Sequence, residues 1–291
     1  MRPLDVLVGA LFAGAMVLLA WRAGALTRSG GFAAFIVGTL TYASGTIGLA
    51  LVLLAFFVPS IALSRLGRAH KRALVDIGKA GPRDARQVLA NGGIATLCAV
   101  GFAVTHDVFL AAAFAGAYAA ATADTWATEI GTLAGRAPRS ILTWRPVATG
   151  MSGGVTLAGT LAELAGALWI GLVALLAAVL ALVIANGDFG LSFGYSLSFR
   201  APSLTAVGLV VIAVVALGGV AGATADSLLG ATVQELRRCD ACGRTCETDP
   251  HACGNPTRLV RGIRGLSNDV VNLLATAAGA AVSFGLAVLL A

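Results

Sequence analysis

Two aspartates occupy positions that a membrane-like chain seldom tolerates. The stretch "ATADTWATEIG" runs from Ala121 to Gly131, and "ATADSLLGATVQ" repeats its opening from Ala223 to Gln234. Both lie in long apolar segments. An ionised carboxylate facing lipid costs about 3 kcal/mol on insertion scales, so Asp124 and Asp226 should face inward toward a partner. They either pair with arginine or asparagine to fix helix packing, or share one site, and the duplication at matching depth favours sharing. Two or three carboxylates with amide oxygens, open to water, form the hard-oxygen set that Mg²⁺ accepts. Asp124, Asp226 and Asp269 are the candidate catalytic acids and metal ligands. Glu129 is a further candidate ligand, although five residues put it about 140° round the helix from Asp124. Glu163, deep in another apolar run, is left unassigned.

Around these acids the sequence gathers groups suited to phosphate. "TGMSGG" precedes an apolar run, and Ser152, Gly153 and Gly154 could let backbone N–H groups and a helix dipole cradle an anion. The plain alternative is a Ser-Gly helix start. Arg145 stands just before it, and Arg83 and Arg86 precede another run, with Gln87 and Asn91 following; Gln234 closes the second repeat. In "LSNDVVN", Asn268, Asp269 and Asn272 share a helical face at i, i+3 and i, i+4 spacing. Ser267 as N-cap and Asp269 against the helix dipole would explain part of this motif structurally, but not Asn272. A G-x-x-x-x-G-K-[ST] phosphate loop is absent from the sequence.

A third cluster is of another kind. "CDACGRTCETDPHACG" holds Cys239, Cys242, Cys246, His251 and Cys253, five candidates for the four positions of a structural zinc site. A redox or disulfide pair is the alternative reading.

The elements that must position these groups are membrane helices. The chain has 291 residues, 58% hydrophobic and only 12% charged, with a mean hydropathy of +0.88. Apolar runs long enough to cross ~30 Å of hydrocarbon recur from end to end. Alternating ten-residue strand patterns are missing, which argues against a membrane barrel. The fold class is therefore all-α: a single polytopic domain over 1–291 with about seven spans, near Leu4–Trp21, Phe32–Ser60, Leu89–Thr105, Val108–Leu133, Gly153–Ala185, Leu204–Val233 and Asn268–Leu290. The second and fifth are too long for one straight span, and Gly45 is a candidate break in the second.

Counting Lys and Arg by side gives 17 against 3. The large basic loops, 61–88 and the Cys/His-rich 235–266, then face the cytoplasm of an inner (plasma) membrane, as does the N-terminus if the second span is single. Splitting the second span would move only the N-terminus, the first helix and the loop with Arg22 and Arg28. Spans four and six run the same way, so the two aspartate segments read as parallel repeats around a cytoplasm-facing polar cavity. The net charge of +6 is explained by topology and does not imply nucleic-acid binding.

Taken in order, "RDARQVLANGG", "ADTWATEIG", "RPVATGMSGGV", "ADSLLGATVQ", the Cys/His loop and "LSNDVVN" resemble the transmembrane protein 19 family from roughly Gly30 to the C-terminus. That family includes plant phytyl-phosphate kinases. The resemblance implies transfer of a phosphoryl group, from a nucleoside triphosphate such as CTP, to a prenyl monophosphate such as phytyl phosphate, giving the diphosphate. The partners it implies are the prenyl phosphate lipid, the nucleotide and the membrane. The competing reading is a transporter or flippase for lipid phosphates or another anion, which would need polar lining toward both sides.

Overall fold

The computed structural model describes residues 2–67, 81–186 and 204–291. Among the described residues, seven helices contain a stretch long and apolar enough to cross a membrane, in α2 the stretch Ile47–Arg65: α1 (Pro3–Arg22), α2 (Arg28–Arg65), α3 (Ala85–Thr105), α4 (Val108–Leu133), α5 (Leu157–Asn186), α6 (Leu204–Thr232) and α7 (Asn268–Leu290). Short strands lie in the loops at one face: β1 (Arg139–Ser140), β2 (Gly154–Val155), β3 (Leu236–Cys239), β4 (Thr245–Cys246) and β5 (Thr257–Arg261). Arg65, Arg83, Arg145 and Arg237 all belong to that end of the bundle, the basic face. Residues 68–80 of the basic loop expected over 61–88, and the opposite loop carrying Asp188 and Arg200, fall outside the described residues; the ends of the expected loop belong to α2 and α3.

Helix α4 is the axis. Every residue from Ala113 to Ala123 is buried, because the run is nearly all alanine and glycine and lets neighbours approach on every side. A methyl on Gly279 would lie 2.7 Å from both Ala120 Cβ and the Gly116 carbonyl oxygen, and one on Gly222 would lie 2.6 Å from the Ala275 carbonyl oxygen. Membrane helices lack a hydrophobic drive to associate and rely on such close backbone packing. Buried hydroxyls reinforce it: Thr276 donates to the Ala90 carbonyl (3.1 Å) and Ser283 to that of Val214 (3.1 Å). Large side chains such as Leu97, Leu157 and Leu217 point outward, as lipid-facing positions should. Gly222→Val is accordingly expected to destabilise the bundle by about 3 kcal/mol, at the upper end of overpacking effects; a thermal unfolding curve in detergent checks this.

The parallel repeat is visible in the packing. Ala120 of α4 touches Gly222 of α6, its own counterpart in the duplicated sequence, and Ala119 touches Gly219. Helices α4 and α6 thus run side by side in one direction, and the antiparallel α5 and α7 pack against both.

The second helix departs from a single span. Its start is tied to the head of α3: the Thr27 N–H donates to the Arg83 carbonyl (3.0 Å) and the Arg83 N–H to that of Ala25 (2.9 Å). Its end returns to the same face, where Arg65 donates to the Ala23 carbonyl and Gly67 abuts Leu133 at the end of α4. A straight helix of 38 residues would be about 57 Å long, so α2 must reverse. The turning point is near Gly45, where a Cβ would collide with the Leu49 side chain. The first limb packs on α1 (Gly9 against Tyr42, Gly38 against Ala13), and the second on α5, where Trp169 Nε1 donates to the Ala55 carbonyl (3.0 Å). The reversal brings Arg22 and Arg28 to the basic face and sends Arg2 to the other.

Candidate functional site

Duplication delivers the two acids to one place. One turn beyond the Ala120–Gly222 contact, Asp124 and Asp226 project from adjacent parallel helices, close enough for each to feel the other's charge. Glu163 of α5 joins them: it senses the Asp124 charge and accepts a hydrogen bond from Thr224. Asp226 Oδ2 is buried with no hydrogen-bond partner among the described groups. An uncompensated buried carboxylate oxygen among like charges is costly, and the cost falls when a cation occupies the space between them.

A fourth carboxylate comes from the Cys/His loop. Glu247 follows β4, is largely buried, and acts electrostatically on Asp226. Ser152 Oγ donates to Glu247 Oε1 at 2.5 Å and accepts from Gln234 Nε2 at 2.8 Å. Burial pushes the Glu247 carboxyl above its ordinary range, and the Ser152 bond and the charge of Arg261 pull it part of the way back. Arg261 is itself anchored, donating to the Gly230 carbonyl at 2.9 Å. Loop, turn and helix end are thereby locked over the acids.

The glycine turn serves this lock. It does not open the helix directly: β2 pairs with β1 (Ser140 opposite Gly154), and Thr156 caps α5 by accepting from Gly159 N (3.0 Å). The Gly154 N–H donates to the Met151 carbonyl (3.0 Å), which occupies one donor expected to serve an anion. Gly153, at φ +79°, sits against the Ala231 backbone, where a side chain would be both strained and blocked. Ser152 is the group of the three that reaches the acids.

The remaining expected residues lie toward the basic face without joining the carboxylates in one cluster. Asp84 and Gln87 form a capping box at the head of α3 (3.0 and 3.1 Å). Asn91 donates to the Gln87 carbonyl (2.9 Å). Arg83 is mostly buried; desolvation lowers its pKa, and the charge of Glu129 acts in the opposite sense. Glu129 therefore faces Arg83, on a different side of α4 from Asp124. Arg86 and Arg145 are exposed. Asn268, Asp269 and Asn272 form the first turns of α7, with Asn272 one turn closer to the basic face than Thr276, which bonds to α3.

In the Cys/His loop the ambiguity of five candidates is reduced to four. The ligand atoms of Cys239, Cys242, His251 and Cys253 all lie within 4.8 Å of one another. Cys239 Sγ and Cys253 Sγ are 3.6 Å apart, Cys242 Sγ and His251 Nδ1 3.5 Å, and His251 Nδ1 and Cys253 Sγ 3.0 Å. A tetrahedral zinc with bonds of about 2.3 Å to sulfur and 2.0 Å to nitrogen needs edges of roughly 3.5–3.8 Å, so the cluster could hold such an ion with little movement. Hydrogen bonds from Asn255 and His251 bring the Cys253 thiol down to about 6, toward the thiolate that metals bind. Cys246 stands apart, buried in β4 with its thiol directed at the Thr248 carbonyl (3.4 Å). The three-stranded sheet β4-β3-β5 supports the loop beneath α6 and α7.

Seven membrane-crossing helices, with a cluster of carboxylates buried toward one end of the bundle, make this a polytopic integral membrane protein. More particularly, the chain belongs to the family described as integral membrane protein DUF92, whose sequence model matches residues 11–280. It is 33% identical over 268 residues to Protein PGR of Arabidopsis thaliana, covering 86% of this chain and 84% of that protein. An uncharacterized membrane protein of Methanocaldococcus jannaschii is 34% identical over 181 residues, 62% of this chain and 63% of that protein. Protein VTE6, chloroplastic, of Arabidopsis thaliana is 33% identical over 147 residues, 48% of this chain and 44% of that protein. No solved structure matches the chain.

Proposed function

We propose that the protein is a magnesium-dependent prenyl-phosphate kinase that moves a phosphoryl group from a nucleoside triphosphate, CTP by preference, to a prenyl monophosphate such as phytyl phosphate. The observation that carries this reading is the meeting of Asp124 and Asp226 on parallel helices, with Asp226 Oδ2 buried and unpartnered. Family membership and the resemblance to a family containing phytyl-phosphate kinases support it. The arginine asymmetry supports a cytoplasmic active face in an inner membrane.

Magnesium, when bound, would neutralise charge on the donor phosphates and help orient them. Asp124 and Asp226 would hold it, with Glu163 and Glu247 nearby and Asp269 contributing from α7. Arg83, Arg86 and Arg145 would offset charge on the transferring group, and Gln87, Asn91, Ser152, Asn268 and Asn272 would orient phosphate oxygens by hydrogen bonds. The acceptor is already an oxyanion, so positioning and electrostatics carry the reaction and no strong base is needed. Glu129, facing Arg83, would steady that arginine. Zinc on Cys239, Cys242, His251 and Cys253 would be structural, since four protein ligands leave no open position.

The test is direct. Purified protein with Mg²⁺, labelled CTP or ATP and a panel of prenyl monophosphates should form labelled diphosphate; no product with any donor, together with lipid phosphate movement across liposomes, would favour transport. Glu247→Gln is expected to weaken apparent Mg²⁺ affinity about tenfold, as loss of a supporting carboxylate does, with zinc content unchanged. A magnesium titration of activity, paired with metal analysis, measures both.

A further inference from the structure

An apolar cavity lies away from the carboxylate cluster, between α1, both limbs of α2 and α3, with Tyr118 of α4 lining it. Phe12, Val37, Ala50 and Leu53 are typical of its walls. Besides the Tyr118 phenol, its polar side chains are Arg83, Gln87 and Asn91, all at the basic face. Phe12, the deepest wall residue on α1, stands ten residues from Arg22 at the face, so the slot reaches about 15 Å in. It exists because α2 doubles back: one straight helix could not form two of its walls.

The polar end is built to hold an anion. Backbone bonds to Ala25 and Thr27 fix Arg83 in place, and its guanidinium carbon stands 5.9 Å from the centre of the Phe56 ring, itself a wall residue. Guanidinium has five donors in a planar fork, more than the single carboxylate of Glu129 can satisfy. Gln87 uses its amide oxygen in the helix cap, so its Nε2 is the half that can donate. A long apolar slot ending in a fixed arginine and an amide N–H₂ matches a single-chain lipid with a phosphate head.

We propose that this cavity takes the isoprenoid chain of the acceptor, with its phosphate on Arg83 and Gln87. The proposal rests on the prenyl-phosphate kinase reading for the identity of the lipid. In this arrangement the cavity floor sets the chain length accepted, and the phosphate waits at the basic face, the end of the bundle that holds the carboxylates.

The experiment is photolabelling of the purified full-length protein with geranylgeranyl monophosphate carrying a diazirine on its tail, followed by peptide mapping. Label is expected on α1, α2 and α3. Unlabelled geranylgeranyl monophosphate should compete at least about tenfold better than geranylgeraniol, a preference that Arg83→Gln removes. Ala50→Trp, which fills the slot, should weaken competition by the C20 phosphate about tenfold through lost apolar contact. Unchanged binding in Ala50→Trp, equal competition by bilayer phospholipid, or no label at all would overturn the proposal. Diphosphate synthesis with label confined to α5 and α6 would also overturn it while leaving the kinase reading intact. Label in the cavity without diphosphate from any nucleotide would uphold the lipid site and overturn the kinase.

Discussion

Asp226→Asn is expected to lower phosphoryl transfer about 10³-fold, near 4 kcal/mol of lost transition-state stabilisation, while leaving the protein better folded in the absence of metal. The two effects have one cause. Asparagine keeps the shape of aspartate, so the contacts between α4 and α6 survive, but it removes one negative charge from a group that includes Asp124 and Glu247. Like charges held together raise the free energy of the folded state. Relieving that repulsion should raise the unfolding temperature of the metal-free protein and abolish the further rise that Mg²⁺ is expected to give the parent, since ligand stabilisation requires binding. A purely structural pair would behave oppositely: the variant would be less stable, and activity would follow stability. Retained turnover, or an intact Mg²⁺-induced thermal shift, would remove the basis for the metal site. Asp124→Asn should behave alike, because the repeat places it equivalently.

Removing a ligand from the Cys/His cluster has the other large effect. Structural zinc contributes about 10–16 kcal/mol of apparent binding free energy in small zinc-finger peptides at neutral pH, far more than the short strands β3, β4 and β5 could supply alone. Cys239→Ala should drop bound zinc from one equivalent to near none and open residues 235–266 to protease, with helices α1 to α6 still protected. It should also abolish turnover, because Glu247 and its bond to Ser152 depend on the loop that zinc would close. Cys246→Ser is the contrast: its thiol faces a carbonyl outside the cluster, so zinc should remain. Loss of zinc in Cys246→Ser, or its retention in Cys239→Ala, would refute the four-ligand assignment.

Much of this arrangement was legible in the sequence because it is periodic. The duplicated aspartate segments declared both a parallel pair of helices and a shared depth, and packing of Ala120 on Gly222 bears that out. The excess length of the second apolar run, with Gly45 inside it, signalled a break, and α2 does reverse there. Other features depend on contacts distant in sequence. Glu247 meets Ser152 across 95 residues, and no local pattern marks it. Glu163 is an isolated acid until α5 packs on α4. The choice of four metal ligands from five turns on which way β4 points the Cys246 side chain, a matter of sheet register. The Ser-Gly stretch reads as a helix start because those residues favour one, yet the pairing of β1 with β2 intervenes and moves the cap to Thr156.

The doubled-back α2 also sets the sidedness of the whole chain. With its two limbs running out and back, Pro3 and Leu290 both lie at the end of the bundle opposite the basic face. The carboxylate cluster accordingly sits among loops tethered to a helix on either side, with Pro3 and Leu290 held at the far end of the helices.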